Sequence, residues 1–469
     1  RQKRPTQRAL LDQADAAASV GECLVFMKAE PYQKVTDPRI ITTYDTVDKR
    51  EYSRYIYPYA DYITTKEWYS FGKKPIEIAA AVTEICQNSK GGVVAADSNR
   101  MDGHIHERAR QLERMKLLRF YSHDYHQQII NLHEAQYRRK ARTRMGVKYD
   151  IEYQRGSGSA ETAVFNTDCS KFCDYLARRL AGQSPFTAYN ARGQFAGDDS
   201  LVESLGILED VKFVEAAAII GQSIDAVHFA RGTSGVNYLS RIYDHTVWTG
   251  DDSSWCDLPR ALGKLHVTPN MDGFTPIQKL QHKLTGLALT DSATPVVGEI
   301  IRSAQRCGIK LLDVSDIKIS GWWAQYDEKV NWPNALVYDE EAWIEKYLPG
   351  ADVAPLLLYL RTCNEANDLL HMPAIQMKHA LPPRNIAQAI VDGEIVDAPV
   401  EDGGRAARFV PEELNTPHNA PKANHVRKVN GSRKETVEKR QSRPGKARRT
   451  QTPRTGEQSK RAPAQKPRS

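Results

Sequence analysis

The chain has 469 residues, 41% hydrophobic and 26% charged, enough to bury a large core divided among two or three subdomains. No apolar run approaches the roughly 18 residues that a membrane span requires, and Arg1-Gln2-Lys3-Arg4-Pro5 resembles no signal peptide. The net charge of +7 is unevenly held: residues 421–469 carry 16 Lys and Arg against 3 Asp and Glu, a net of +13, leaving 49 against 55, a net of −6, for residues 1–420.

The chain begins without Met, which implies a processed product or a piece of a longer protein. Seven scattered cysteines suit a reducing cytosolic compartment. Cys169 and Cys173 fit one inward-packed helical face better than a metal pair, because no second ligand pair stands nearby.

After a polar segment to about Ser19, the stretch Leu24–Ile41 alternates apolar pieces with Lys28, Lys34 and Arg39. Cations at intervals along extended chain suit a row of phosphates, and suit a charged edge strand equally. Residues 51–71 are dense in aromatics, a packed amphipathic layer or a surface on which bases stack. Gly91–Ala96 reads as a buried strand delivering Asp97, with Asp102 five residues on.

From Glu107 to Arg144 the pattern predicts basic helix, with His123, His126 and His133 on its surface or facing RNA rather than holding metal. Gly156-Ser157-Gly158-Ser159 opens a helix running from about Thr162 to Arg179. Free N–H groups at such a start hold an anionic backbone, or simply cap the helix.

In Gln194–Val202, two short apolar runs flank Gly197-Asp198-Asp199, predicting a tight hairpin with two carboxylates at its tip. Adjacent acids repel unless a cation neutralises them, and hard oxygen ligands suit Mg²⁺. The second copy, Gly250-Asp251-Asp252, lacks apolar flanks and reads as a solvated loop. Val211–Val227 predicts a helix and a strand, Gly235–Tyr243 a strand pair, and residues 258–390 mostly helices broken by prolines. Beyond Pro421, Lys, Arg, Pro, Gln, Ser and Thr dominate, so the tail should be disordered and grip RNA through its charge.

Taken in order, the phosphate-reading cations, Asp97-x4-Asp102, Ser157-Gly158-x3-Thr162-x3-Asn166 and Gly197-Asp198-Asp199 resemble the viral RNA-dependent RNA polymerases over residues 24–245. Within them the chain is most similar to the noda-like enzymes of positive-strand RNA viruses. That likeness rests on Lys28-Ala29-Glu30, Asp37-Pro38-Arg39, Asp97–Gly103, Leu239–Tyr243 and Leu262–Thr268. The resemblance implies an α+β right-hand fold with an antiparallel palm sheet and a helical thumb. It assigns residues 1–90 to incomplete fingers, 91–106 to palm, 107–150 to fingers, 151–257 to palm, 258–400 to thumb and 401–469 to linker and basic tail.

It further implies Asp97 and Asp198 as ligands of two Mg²⁺ ions, or Mn²⁺, with Asp199 assisting. Asp102 and Asn166, with Ser157, Gly158 and Thr162, would sense the ribose, and Lys28, Lys34 and Arg39 would cover the triphosphate. Two departures stand out. No Lys lies between Ile219 and Gly232 to protonate pyrophosphate, leaving His228 or Arg231 without assignment, and only 27 residues precede Lys28, too few for complete fingers.

The expected activity is template-directed RNA synthesis from nucleoside triphosphates, replicating a viral genome. The expected place is the host cytoplasm, in membrane-associated complexes reached through regions outside this chain. A non-enzymatic RNA-packaging protein is the rival from another class. The acids at 97, 102, 198 and 199 favour the enzyme, because carboxylates repel RNA unless metal intervenes. Reverse transcription is the rival within enzymes, and Asn166 with Gly-Asp-Asp argues against it by resemblance.

Overall fold

The computed structural model describes residues 5–28, 30, 37–268, 273–312 and 332–377, with short strands between 388 and 406. The disorder expected of residues 421–469 therefore falls outside the described residues.

Helix α1 (Pro5–Asp12) leads to strands β1 (Cys23–Met27) and β2 (Ile40–Thr43), which pair antiparallel. The Asp45 carboxylate caps α2 (Thr46–Ile63) by accepting from the Asp48 N–H, and α3 (Pro75–Asn88) starts on a proline whose missing N–H costs nothing there. Strand β3 (Val93–Ser98) follows, then α4 (Glu107–Phe120) and α5 (His126–Glu134).

The basic helix expected to reach Arg144 stops at Glu134. Arg138 takes a φ of 55°, which ends helical continuation, and Lys140–Thr143 is a strand, β4, lying parallel to β1 with β5 (Lys148–Asp150) beyond it. Within β4 only Ala141 is fully buried, against Cys23 and Val25, a pattern of period two that the five charges of Arg138–Arg144 conceal.

Helix α6 (Thr162–Leu180), α7 (Pro185–Tyr189), β6 (Gly193–Ala196), β7 (Asp199–Glu203), α8 (Val211–Ile219) and β8 (Ile224–Phe229) come next. They build the central sheet, whose order ends β8, β3, β7, β6, each pair antiparallel. One face carries Val94, Val202, Ile224 and Ala226 onto α6 and α8, where Cys169, Cys173 and Ala177 meet Phe213 and Ala217. The opposite face packs Val93, Leu201 and Phe229 on α3 and on the hairpin of β9 (Val236–Tyr238) and β10 (Arg241–Tyr243).

After β11 (Ser254–Cys256) the chain is helical: α9 (Leu258–Gly263), α10 (Pro276–Thr290), α11 (Val297–Arg306), α12 (Glu340–Tyr347) and α13 (Ala354–Thr362). Leu284, Ile300, Ala304, Trp343 and Leu360 give this region its own core. Strands β12 (Ala351–Asp352) and β13 (Gln376–Met377) pair across it. The thumb expected to be helical to 400 instead ends on strands: β14 (Gln388–Val391) returns to pair with β8 and turns into β15 (Glu394–Asp397). The signal was present: Asp392-Gly393 sits between two β-branched runs, the strongest short hairpin cue. Among the described residues no helix is long and apolar enough to cross a membrane.

Candidate active site

The hairpin forms as the residues dictate. Ala196 pairs with Asp199 across a two-residue loop whose first member, Gly197, has φ 71°, a conformation a side chain at this position would strain. Two hydroxyls of α6 hold the tip: Thr167 Oγ1 accepts from the Gly197 N–H at 2.9 Å, and Ser170 Oγ donates to the Gly197 carbonyl at 2.6 Å. Neither residue is marked by the sequence, because both sit inside a regular helix.

Strand register then gathers the acids. Asp97 lies directly opposite Asp199 on one side and opposite Asp225 on the other, so three carboxylates form a row across β7, β3 and β8 on one face of the sheet. Two residues down the same face stands the apolar row Leu201, Ala95 and Val227. Asp198 projects exposed from the loop, and its carbonyl accepts from the Ser98 N–H at 3.1 Å, tying the loop to the end of β3. Asp225 escaped sequence reasoning: a single acid in Ile224-Asp225-Ala226-Val227 shows no doublet, and only pairing with β3 reveals its neighbour.

Beside the sheet, Asp102 anchors a second group. Asn166 Nδ2 donates to Asp102 Oδ1 at 2.8 Å, and Ser157 Oγ donates to Asp102 Oδ2. Arg155 Nε donates to Asn166 Oδ1 at 2.6 Å, which fixes the amide so that its nitrogen faces Asp102. The Asn166 amide that the resemblance assigns to sensing the ribose is thus engaged at both ends, by Asp102 and by Arg155. Thr162 turns its hydroxyl onto the loop carbonyls of Gly156, Ser157 and Ser159. Gly158 is required for close approach: its N–H donates to the Thr42 carbonyl at 2.9 Å, and a Cβ there would meet Thr43 Oγ1 at 2.7 Å. The loop N–H groups of Gly158, Ser159 and Thr162 are therefore spent within the protein, which leaves less of an anion cradle than expected.

The row of phosphate-reading cations is altered in the same way. Lys28 and Arg39 both pair with Glu30, at 2.9 and 3.6 Å, while Lys34 lies outside the described residues. Helix α9 brings further cations: burial and the nearby Arg260 guanidinium push Lys264 below the ordinary lysine range, with Glu30 opposing. Neither residue left unassigned for protonating pyrophosphate is available. His228 is buried with Nδ1 2.8 Å from Asp210, and Arg231 grips the carbonyls of Cys86, Gln87 and Ser89.

One buried group has the look of a metal centre. Glu113, His133 and Glu161 place ligand atoms within 4.8 Å of one another. His133, expected on a helix surface, is fully buried with Nε2 3.2 Å from Glu113. Two guanidiniums already balance the charge: Arg110 lies 3.0 Å from Glu113 and 2.5 Å from Glu161, and Arg155 contacts Glu113 and stands 2.8 Å from Glu161. Burial alone would raise both glutamates, but Arg155 and Arg110 outweigh it and hold them below the ordinary range. A cation has no place there. The remaining copy, Gly250-Asp251-Asp252, closes a turn in which Asp251 accepts from Thr246 Oγ1 and the Ser253 N–H.

No protein-family model matches the chain. It is similar to curated RNA-directed RNA polymerases of nodavirus type. That of Greasy grouper nervous necrosis virus is 29% identical over 384 residues, 80% of this chain and 38% of the relative, and that of Pariacoto virus is 27% identical over 383 residues, 79% and 37%. The enzyme of Flock house virus is 24% identical over 290 residues, 60% and 28%. The chain thus spans well under half the length of these relatives. Among solved structures, the RNA-dependent RNA polymerase of a human picobirnavirus matches with a TM-score of 0.51 at 13% identity, covering 70% of this chain and 64% of that one. The fold is therefore the one found in viral RNA polymerases.

Proposed function

We propose that this chain is the polymerase core of a viral replicase and performs template-directed RNA synthesis from nucleoside triphosphates. The observation that carries the reading is the strand register that sets Asp97 between Asp199 and Asp225 with Asp198 at the adjoining loop. Like charges placed directly opposite destabilise a sheet, and a row of hard oxygen donors, Asp97 exposed and Asp199 and Asp225 half-buried, is a site for Mg²⁺. Asp97, Asp198 and Asp199 would hold the ions, with Asp225 as a further carboxylate. When bound there, two ions supply activation of the 3′-hydroxyl and neutralise the charge developing on the pyrophosphate.

The chain's own residues contribute the rest. Asp102, oriented by Ser157 and Asn166, faces the ribose, and Lys28, Arg39 and Lys264 offer positive charge to the triphosphate. In this reading residues 91–106 and 151–257 are palm, the segments 1–90 and 107–150 fingers, and 258–400 thumb. RNA template, product and nucleoside triphosphates are the partners, in membrane-associated complexes of the host cytoplasm. The packaging alternative leaves the acid row without purpose.

Primer extension on homopolymeric RNA tests the proposal. The full chain should incorporate labelled ribonucleotide with Mg²⁺ and lose incorporation with EDTA. Metal-independent incorporation, or none under any divalent ion, would sink it.

A further inference from the structure

Helix α6 uses two faces. Asn166 looks toward Asp102, and Cys169, Cys173 and Ala177 share that side against α8. Asp168, Lys171, Phe172 and Tyr175 lie roughly 140° to 240° around the helix from Asn166, the opposite face. They line a cleft of about 490 Å³ closed by the end of α2 and by α4, beyond the sheet edge that Trp68–Ser70 covers through backbone bonds to Phe195.

The cleft joins aromatic surface to positive charge. Tyr62 and Phe120 are 45% and 37% exposed with ring centroids 5.3 Å apart, and Tyr189 is 57% exposed on the far wall. Lys66 stands 4.1 Å over the Tyr62 ring, and Lys116 and Arg119 follow on α4. Asp168 is the single acid in the lining, buried and already engaged by Lys116 at 3.1 Å and the Tyr59 hydroxyl at 2.7 Å. A lining of exposed rings between cations suits a ligand that alternates planar faces with negative charge. Hydrophobic burial explains Tyr59 and Trp68, but not three large rings left in water beside three cations.

We infer that this cleft is a binding site for single-stranded RNA, separate from the acid row, in which bases stack on Tyr62, Phe120 and Tyr189 while Lys66, Lys116 and Arg119 meet the phosphates. The choice of RNA over DNA rests on the proposed activity. The stacking and charge complementarity do not.

Photo-cross-linking of the full chain to a 4-thiouridine oligonucleotide, without nucleotides or divalent ions, reads this site apart from RNA synthesis and apart from the basic tail. Adducts should map to peptides carrying Tyr62, Phe120 or Tyr189. Their yield should fall about tenfold in the doubly substituted Tyr62→Ala, Phe120→Ala protein, the scale of losing a stacked base. Arg119→Glu, at an exposed position that no fold defect should follow, should lower it severalfold, and Asp97→Asn should leave it unchanged. An abasic oligonucleotide of equal length should compete poorly. Adducts confined to other peptides, yields indifferent to these substitutions, or equal competition by the abasic strand would each overturn the assignment and leave the cleft to a different occupant.

Discussion

Two clusters of carboxylates in this protein obey opposite rules. Glu113 and Glu161 are buried, interleaved with Arg110 and Arg155 and touched by His133 and the Tyr52 hydroxyl, so every charge is met inside the fold. Asp97, Asp199 and Asp225 stand side by side by strand register, with Asp97 and the neighbouring Asp198 exposed. A charge withdrawn from water must be paired or it is ruinous, whereas like charges kept in water cost only a screened repulsion. The buried cluster is therefore architecture. The row across β7, β3 and β8, with Asp97 exposed and Asp199 and Asp225 half-buried, is where the fold accepts repulsion, and function is the reason to accept it.

Breaking the buried cluster should have the largest effect on stability. Glu161→Gln leaves Arg110 and Arg155 short of a partner and should cost on the order of 3 to 5 kcal/mol, read as a lowered denaturation midpoint. The pH dependence has a definite sign. Both glutamates are held below their ordinary range, so their contribution is complete above about pH 4.3 and is lost as pH falls below it. Acid unfolding followed by circular dichroism should show a steep limb there that Glu161→Gln flattens, and an unaltered limb would remove the cluster from the stabilising core.

In the row across the sheet the expectation reverses. Asp97→Asn or Asp198→Asn should lower incorporation by about a hundredfold or more, since even residues that only support metal ligands cost 10 to 100-fold. Without metal, Asp97→Asn should melt no lower than the parent, because it relieves a repulsive neighbour, and Mg²⁺ should raise the melting temperature of the parent more than that of the variant. Asp251→Asn should be nearly silent. Equal loss from Asp251 and Asp198 would erase the distinction between the two Gly-Asp-Asp copies.

The smallest effect sharpens the link between the clusters. Arg155 belongs to the buried group and also fixes the Asn166 amide, through which Asp102 is oriented. Asn166→Ala should narrow the preference for ribonucleotides over deoxynucleotides by roughly one to two decades, the worth of a polar group left unmet. Single-nucleotide incorporation with each sugar measures it. A ratio that stays constant while both rates fall would make Asn166 a packing residue.

Much of the site could be read from the chain because local chemistry was enough. Gly197 followed by two acids between apolar runs can only be a tight, acidic hairpin, and the Val93–Ser98 strand and the α6 helix carry their own periodicity. What tertiary structure alone decided is which groups end as neighbours. Asp225 joined the row through register with β3, a relation between residues 128 positions apart, 97 to 225, that no local pattern encodes. His133 changed from surface to core because it meets Glu113 of α4, a carboxylate itself held by Arg110 of the same helix and by Arg155 from a separate segment. Lys28 and Arg39 met Glu30 because β1 and β2 fold back on each other. Periodicity reports which face of an element is buried, but the partner of a charge depends on the packing of whole elements, and that is settled only when the chain closes on itself.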